Sequence, residues 1–277
     1  MIASPRRPIV RYHGGKWILA PWIISYFPAH RIYVEPYGGG ASVLLRKPRA
    51  RAEVYNDLDG EIVNLFRVVR DRGEDLRRAL ELTPFARAEF EASYELTEDP
   101  LEQARRTVVR SFMGFGSSAA TQGKSKKGGR PSTGFRSNSD RSGTTPAMDW
   151  RQYPVEFGAI IDRLRGVIIE QRDALEVLKL HDSPATLHYI DPPYLPETRD
   201  AGADYRFELT EEDHIRLAET LRGLEGAVIV SGYPSDLYED LYRGWLRAER
   251  AALADGALPR TEVLWMKGIN FGLFGDT

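Results

Sequence analysis

The stretch RIYVEPYGGGASVLLR, residues 31–46, decides the reading of this chain. Arg31–Glu35 is a short run of strand-forming residues that ends on an acid. Pro36 and the consecutive glycines Gly38–Gly40 break it, and a short helix is expected from Ala41. A second strand is expected in Arg51–Asn56, around Glu53-Val54-Tyr55. It precedes a helix over Gly60–Arg70 with Ile62, Val63, Leu65, Phe66, Val68 and Val69 on its apolar side. Strand, helix, strand, helix argues for a parallel sheet with helices packed on it.

The same alternation resumes late in the chain. Strands are expected at Val167–Glu170, Thr186–Ile190, Ala227–Ser231 and Thr261–Met266, and helices at Ala174–Leu180 and from a Thr210/Asp213 cap to Gly223. Residues 73–154 interrupt the pattern. There Thr83-Pro84 reads as a helix start, and Asp99-Pro100 with Glu102 reads as a capping box ahead of Leu101, Ala104, Val108 and Phe112. A long polar, Gly- and Ser-rich stretch follows, at about 114–147. The expectation is a doubly wound, mostly parallel α/β domain formed by 1–72 and 155–277, with a helical and loop insertion over 73–154.

Composition excludes several classes. The 277 residues carry no cysteine, which removes disulfides and cysteine-based zinc sites. No apolar run approaches the ~20 residues that span a bilayer. The first residues, MIASPRRPIVRYHGGKW, hold no apolar segment of a signal peptide, so a cytoplasmic protein is expected. The net charge of −2 hides a local imbalance. Lys124–Gly143 contains Lys124, Lys126, Lys127, Arg130, Arg136 and Arg141 against Asp140 alone, six cations less one anion. A basic flexible loop, with Phe135 among its charges, suits a segment that orders on a polyanion. The plainer reading is a solubilising loop.

Two turns carry chemistry. In an open α/β sheet, ligands bind beyond the carboxyl ends of the strands, where Glu35-Pro36-Tyr37-Gly38-Gly39-Gly40 is expected. The turn has neither the Lys-Ser/Thr of a phosphate loop nor the spacing of a dinucleotide fingerprint. Its acid suits a ligand that is cationic or offers hydroxyls. Asp57 closes the second strand, where an acid commonly takes ribose hydroxyls, although capping the next helix is the commoner fate of such an Asp. The second turn, Asp191-Pro192-Pro193-Tyr194, follows the apolar run Leu187–Ile190. Two prolines fix φ and leave carbonyls without competing amides. A carboxylate beside such a carbonyl makes a pair of acceptors for an exocyclic –NH₂, and the aromatic can stack on a base. Two acceptors favour a pyramidal, nucleophilic nitrogen and stabilise the charge it gains on attack. A base inside a duplex must first be flipped out. For either turn alone, a rigid structural loop is a fair alternative.

Together these motifs resemble the DNA adenine methyltransferase family, in its phage and bacterial form with the cofactor half first. Tyr12-His13-Gly14-Gly15-Lys16 is similar to the family's aromatic-x-Gly-Gly-Lys motif, and Glu35-Pro36-Tyr37 with Gly39 and Ser42 to its main cofactor loop. Asp57 matches the ribose acid, Asp173 the acid that recognises the cofactor's adenine, Asp191–Tyr194 the catalytic motif, and RTEVLW the closing strand. The resemblance implies a Rossmann-like methyltransferase that moves a methyl group from S-adenosylmethionine to adenine N6 in double-stranded DNA, with no metal. Tyr12, Lys16, Glu35, Pro36, Tyr37, Gly39, Asp57 and Asp173 would bind the cofactor. Asp191, Pro192, Pro193 and Tyr194 would act on the base. The sequence departs from the pattern at Tyr37, commonly Phe, and at Ala41, usually a second glycine, where alanine is the smallest substitute if the backbone keeps a negative φ.

The family reads its target through the region between the two halves. This makes Lys124, Lys126, Lys127, Arg130, Arg136 and Asn138 the DNA candidates, Asn suiting adenine edges and Arg guanine edges. Cytosine N4 poses the same problem to the same turn and is the alternative. A non-catalytic relative would have no need of Asp191 and Glu35, and a nicotinamide dehydrogenase would leave Asp-Pro-Pro-Tyr unexplained.

Overall fold

The computed structural model describes residues 4–12, 14–116, 133–138, 143–195, 198, 206–253 and 259–269. Among them a seven-stranded sheet is built from β1 (Ile32–Glu35), β2 (Ala52–Asn56), β3 (Val167–Glu170), β4 (Thr186–Ile190), β5 (Ala227–Gly232), β6 (Leu246–Leu253) and β7 (Pro259–Lys267). Its order is β3-β2-β1-β4-β5-β7-β6. The first five strands are parallel, and β7 runs antiparallel between β5 and β6. The chain therefore moves outward from β1 on one side and from β4 on the other. The order reverses where these two strands touch, with Val34 opposite His188, and a crevice opens at such a switch point.

Side chains alternate across the sheet. Tyr33, Tyr55, Leu187, Tyr189 and Ile229 point into one core, with α3 (Gly60–Leu82), α5 (Pro100–Met113) and α6 (Pro146–Leu164). Ile190, Val228, Val230 and Trp265 point into the other, with α8 (Glu211–Gly223) and α9 (Asp236–Leu241). Val34 and Val54 meet Val177 of α7 (Ala174–Leu180) on that second face. Each such side chain contributes ~1.5–3 kcal/mol by leaving water. The short helices α1 (Ala20–Ile24), α2 (Ser42–Arg46) and α4 (Arg87–Ala92) complete the described elements.

Several local expectations change. Helix α3 does not stop near Arg70 but continues to Leu82, with a non-helical Arg72 (φ −135°, ψ 34°). Thr83 is its C-cap, bonded back to the Ala79 carbonyl, rather than the start of a helix at Pro84. Asp99 does cap α5, but Glu102 pairs with Arg105 and Arg106 instead of closing a capping box. Pro154 lies inside α6, whose start is set by Thr145 and Pro146. Helix α6 is tied to the first half by a buried ion cluster. Glu53 of β2 takes Lys47 at 2.6 Å and Arg163 at 2.6 Å, and Arg163 also donates to the Leu44 carbonyl at 2.6 Å. No helix among the described residues is long and apolar enough to cross a membrane.

Candidate active site

At the end of β1 the glycine turn is shaped by two aromatic rings. A Cβ on Gly38 would lie 2.1 Å from the Tyr55 ring, and one on Gly39 would lie 2.8 Å from the Tyr12 ring. Gly39 also has φ +47°, which glycine adopts without strain. The protein's own rings thus require glycine at both positions. Ala41 follows with φ 51° and ψ 36°, so the condition of a negative φ at this alanine is not met. Asn56, at the end of β2, donates to the carbonyls of Pro36 at 2.9 Å and Arg172 at 3.0 Å, binding three strand ends together. The sequence reading passed it over.

Two acids sit beneath this turn. Glu35 accepts from the Tyr33 hydroxyl at 2.8 Å and from the Leu44 amide at 3.1 Å, both on Oε2. Burial pushes its carboxyl up to about 8, and the charge of Asp191 pushes the same way. Asp57 accepts from the Gly39 amide at 2.8 Å and the Asp59 amide at 2.8 Å, and burial raises it to about 6. It is not the helix cap; Asp59 caps α3 by accepting from the Glu61 amide at 3.0 Å.

The second turn leaves β4 beside the first. Asp191 Oδ1 accepts from Ser231 Oγ at 2.9 Å and faces the Lys16 ammonium at 3.1 Å and the Tyr194 hydroxyl at 3.1 Å. Lys16 is 6% exposed, donates to the Gly14 carbonyl at 2.8 Å and stands 4.7 Å above the Tyr194 ring. Tyr194 is itself 6% exposed. Its hydroxyl lies 2.5 Å from Glu262 Oε1, and the Tyr233 ring meets it edge-on at 4.8 Å. Its ring is enclosed rather than laid open for stacking. Pro192 is buried, while Pro193 borders the cavity. Glu262, the acid inside RTEVLW, was missed as an individual residue. A lone acid within an apolar strand is the signal that could have found it.

One cavity of about 830 Å³, open to solvent, joins the two turns. Tyr12 and Lys16 border it from the N-terminal segment, Glu35, Pro36, Tyr37 and Gly39 from the glycine turn, and Asp57 and Asp191 from β2 and β4. Asp173 does not border it, although Ala174 does. Asp173 caps α7 by accepting from the Leu175 and Glu176 amides at 2.9 and 3.2 Å. Arg206 and Phe207 cover the cavity from the chain that returns after β4, and neither was expected. Arg206 is held by Asp59 at 2.8 Å and Glu61 at 3.4 Å, and Glu61 pairs in turn with Arg110 of α5.

Of the DNA candidates, Lys124, Lys126, Lys127 and Arg130 lie outside the described residues, as does His13. Arg136 is fixed to the end of α5, its amide donating to the Met113 carbonyl at 2.8 Å and its guanidinium to Phe112 at 3.0 Å. Asn138 is exposed. Phe135 is built into the insertion, 5.1 Å from Phe85 and 5.9 Å from Phe90, and bridges Gly114.

The cavity thus has carboxylates under one end and an Asp-Pro-Pro turn at the other. Among the described residues no group of three or more acids or histidines is placed to hold a metal ion. The chain is 24% identical over 249 residues to the Type II methyltransferase M1.LlaDCHI of Lactococcus lactis subsp. cremoris, covering 86% of this chain and 84% of that protein. Residues 12–125 and 148–253 match the D12 class N6 adenine-specific DNA methyltransferases, and the chain belongs to that family of adenine-specific DNA methyltransferases.

Proposed function

We propose that this protein methylates adenine N6 in double-stranded DNA, taking S-adenosylmethionine as the methyl donor and acting on a base flipped from the duplex. The observation that carries this reading is the meeting of the β1 and β4 ends. Asp191 borders the same cavity as Glu35 and Asp57, so a donor bound over the glycine turn and an amine bound at Asp191 share one space. The donor supplies an electrophilic methyl group on a positively charged sulfur.

The cavity suits that donor. Glu35 and Asp57 offer acceptors for its ammonium and hydroxyl groups, Tyr37 and Pro36 apolar surface, and Gly39 a backbone a ligand can approach. Tyr12 and Lys16 close the N-terminal side, and Asp173 stands one residue from the wall, where its Oδ2 can accept. The amine of the base donates to Asp191 and to a carbonyl of the Pro192–Pro193 turn. These acceptors would localise its lone pair and stabilise the positive charge that grows on nitrogen during direct in-line transfer, in which the N–C bond forms as the S–C bond breaks, its electron pair stays on the neutral thioether, and the methylated nitrogen then gives up one proton to solvent. Tyr194 keeps Asp191 in place. Arg136 and Asn138 stand at the stem of the basic segment, where Lys124, Lys126, Lys127 and Arg130 would meet phosphates and base edges. The protein would work in the cytoplasm, and its Lactococcus relative, a Type II methyltransferase, makes a restriction–modification setting the natural one.

Methylation of mixed-sequence duplex with labelled S-adenosylmethionine, followed by nucleoside analysis, tests the reading. N6-methyladenine is expected; N4-methylcytosine or no product overturns it. Asp191→Ala should abolish transfer while cofactor affinity, measured by calorimetry, stays within a few-fold. Near-normal turnover in that variant would remove Asp191 from the reaction.

A further inference from the structure

Counting protons around Tyr194 places one where no sequence motif asks for it. The phenol oxygen lies 3.1 Å from Asp191 Oδ1 and 2.5 Å from Glu262 Oε1. A phenol carries one proton and donates it to one partner at a time. Two such oxygen–oxygen contacts require two protons, because unprotonated oxygens at hydrogen-bond distance repel. The second proton belongs to one of the two acids.

Asp191 is the poorer host. Its Oδ1 receives Ser231 Oγ at 2.9 Å and Lys16 Nζ at 3.1 Å besides the phenol, the environment of an ionised carboxylate oxygen rather than of an O–H. Glu262 lies farther from that ammonium, at 3.8 Å, and is 2% exposed. We infer that Glu262 is a neutral carboxylic acid whose proton is donated to Tyr194, so that Tyr194 donates to Asp191 and holds it as an ionised acceptor. Glu262 is then a positioning residue acting through Tyr194. Burial raises its carboxyl in the same sense, against the opposing charge of Lys16.

One functional consequence concerns Asp191. Its Oδ1 is engaged from three sides, by Ser231, Lys16 and Tyr194, and with that oxygen occupied Oδ2 is the one we assign to the amine of the base. This rests on the proposed role of Asp191. The groups facing Glu262 are Lys16, Asp191, Tyr194, Tyr189 and Tyr233, with Arg250 its register partner on β6. Burial holds all three tyrosines above their ordinary range, so on the alkaline side Glu262 and Lys16 are the pair to separate. Raising the pH removes the Glu262 proton. The Tyr194 hydroxyl then turns to Glu262, and Asp191 loses a donor and gains a neighbouring anion.

Glu262→Gln is the decisive variant, since its amide donates to Tyr194 as the acid does but cannot ionise. We expect turnover within about threefold of the natural protein and the loss of an alkaline limb from the pH–rate profile; a limb due to Lys16 would survive. Glu262→Ala should lower turnover by roughly 10- to 150-fold, with S-adenosylmethionine affinity unchanged, as the worth of a hydrogen bond to a charged group implies. The infrared difference between the natural protein and Glu262→Gln at neutral pH should show a protonated-carboxyl band lost in the variant, over and above the band that Glu35 gives in both proteins. Absence of that band, or a Glu262→Gln protein as slow as Glu262→Ala, overturns the inference. The band is read without turnover, so it stands apart from the Asp191→Ala result. If Asp191→Ala stays active while the band is present, the role of Asp191 fails and the neutral Glu262 does not.

Discussion

At Ala41 a methyl group sits on left-handed backbone, φ 51° and ψ 36°, in a fully buried position bordering the cavity. That conformation costs a non-glycine residue ~1–2 kcal/mol. Glycine would remove the strain, while the gain in freedom of its unfolded chain returns ~0.4–1 kcal/mol of it. Ala41→Gly should therefore raise the melting temperature by ~1–2 °C. A fall in a thermal melt would mean that the methyl's contacts outweigh its strain. Glu35 makes a different demand. With its carboxyl near 8, it is protonated at neutral pH in the free protein, whereas an acceptor for ammonium or hydroxyl donors must be ionised. Affinity for S-adenosylmethionine should rise as the pH is raised toward 8 and level off above it. Glu35→Gln should bind more weakly and with a flatter dependence, and Glu35→Ala should lose roughly 10–150-fold. Calorimetry between pH 6 and 9 reads both, and a natural protein whose affinity is flat across that range removes Glu35 from cofactor binding.

Helices α3 and α6 meet where the first half gives way to the insertion, and their contact depends on Gly73. A Cβ there would stand 2.6 Å from Ile161 Cγ1 and 2.8 Å from its Cδ1. Alanine gains ~1 kcal/mol in helix propensity, but overpacking a close contact costs ~1–3 kcal/mol, so the clash decides. Gly73→Ala should destabilise by up to ~2 kcal/mol in denaturant melts. Combined with Ile161→Ala, which opens the space, it should cost less than the sum of the two single changes. Strict additivity would show that the helices separate freely at this point.

Over the whole molecule, charge is sorted by task. Ion pairs join distant segments: buried Glu53 links α2 and α6 through Lys47 and Arg163, and Asp59 and Glu61 join the exposed Arg206 at the cavity to Arg110 in the insertion. The excess of cations lies in 124–143, in a chain whose net charge is −2. If that segment holds phosphates, affinity for DNA falls by ~0.9 logarithmic units per decade of salt for each one. Replacing Lys124, Lys126 and Lys127 together by alanine should flatten the slope by up to ~2–3 units and leave cofactor affinity unchanged. Sequence preference should persist, because an ammonium is a point charge without a planar fork. An unaltered slope would place phosphate binding elsewhere in the protein.

The buried middle of the sheet was legible from the chain, because parallel strands covered on both faces read as apolar runs; β1, β4 and β5 stand where Arg31–Glu35, Thr186–Ile190 and Ala227–Ser231 announced them, and the edge strand β3 stands at Val167–Glu170 as expected. Both chemical turns were legible too, since proline and glycine act on φ locally. Strand β6, LRAERAAL, was not: an edge strand exposed to water carries no apolar period, and its residues favour helix. Nor was α6, where buried packing keeps Pro154 inside a helix that local rules would end. Only tertiary structure decided the sign of φ at Ala41, the exchange of capping roles between Asp57 and Asp59, and the enclosure of Tyr194. It alone brought Lys16 and Glu262, far apart in sequence, to the oxygens of Asp191 and Tyr194. Those outcomes depend on contacts between strand ends, and the chain specifies such contacts only through the register of the sheet.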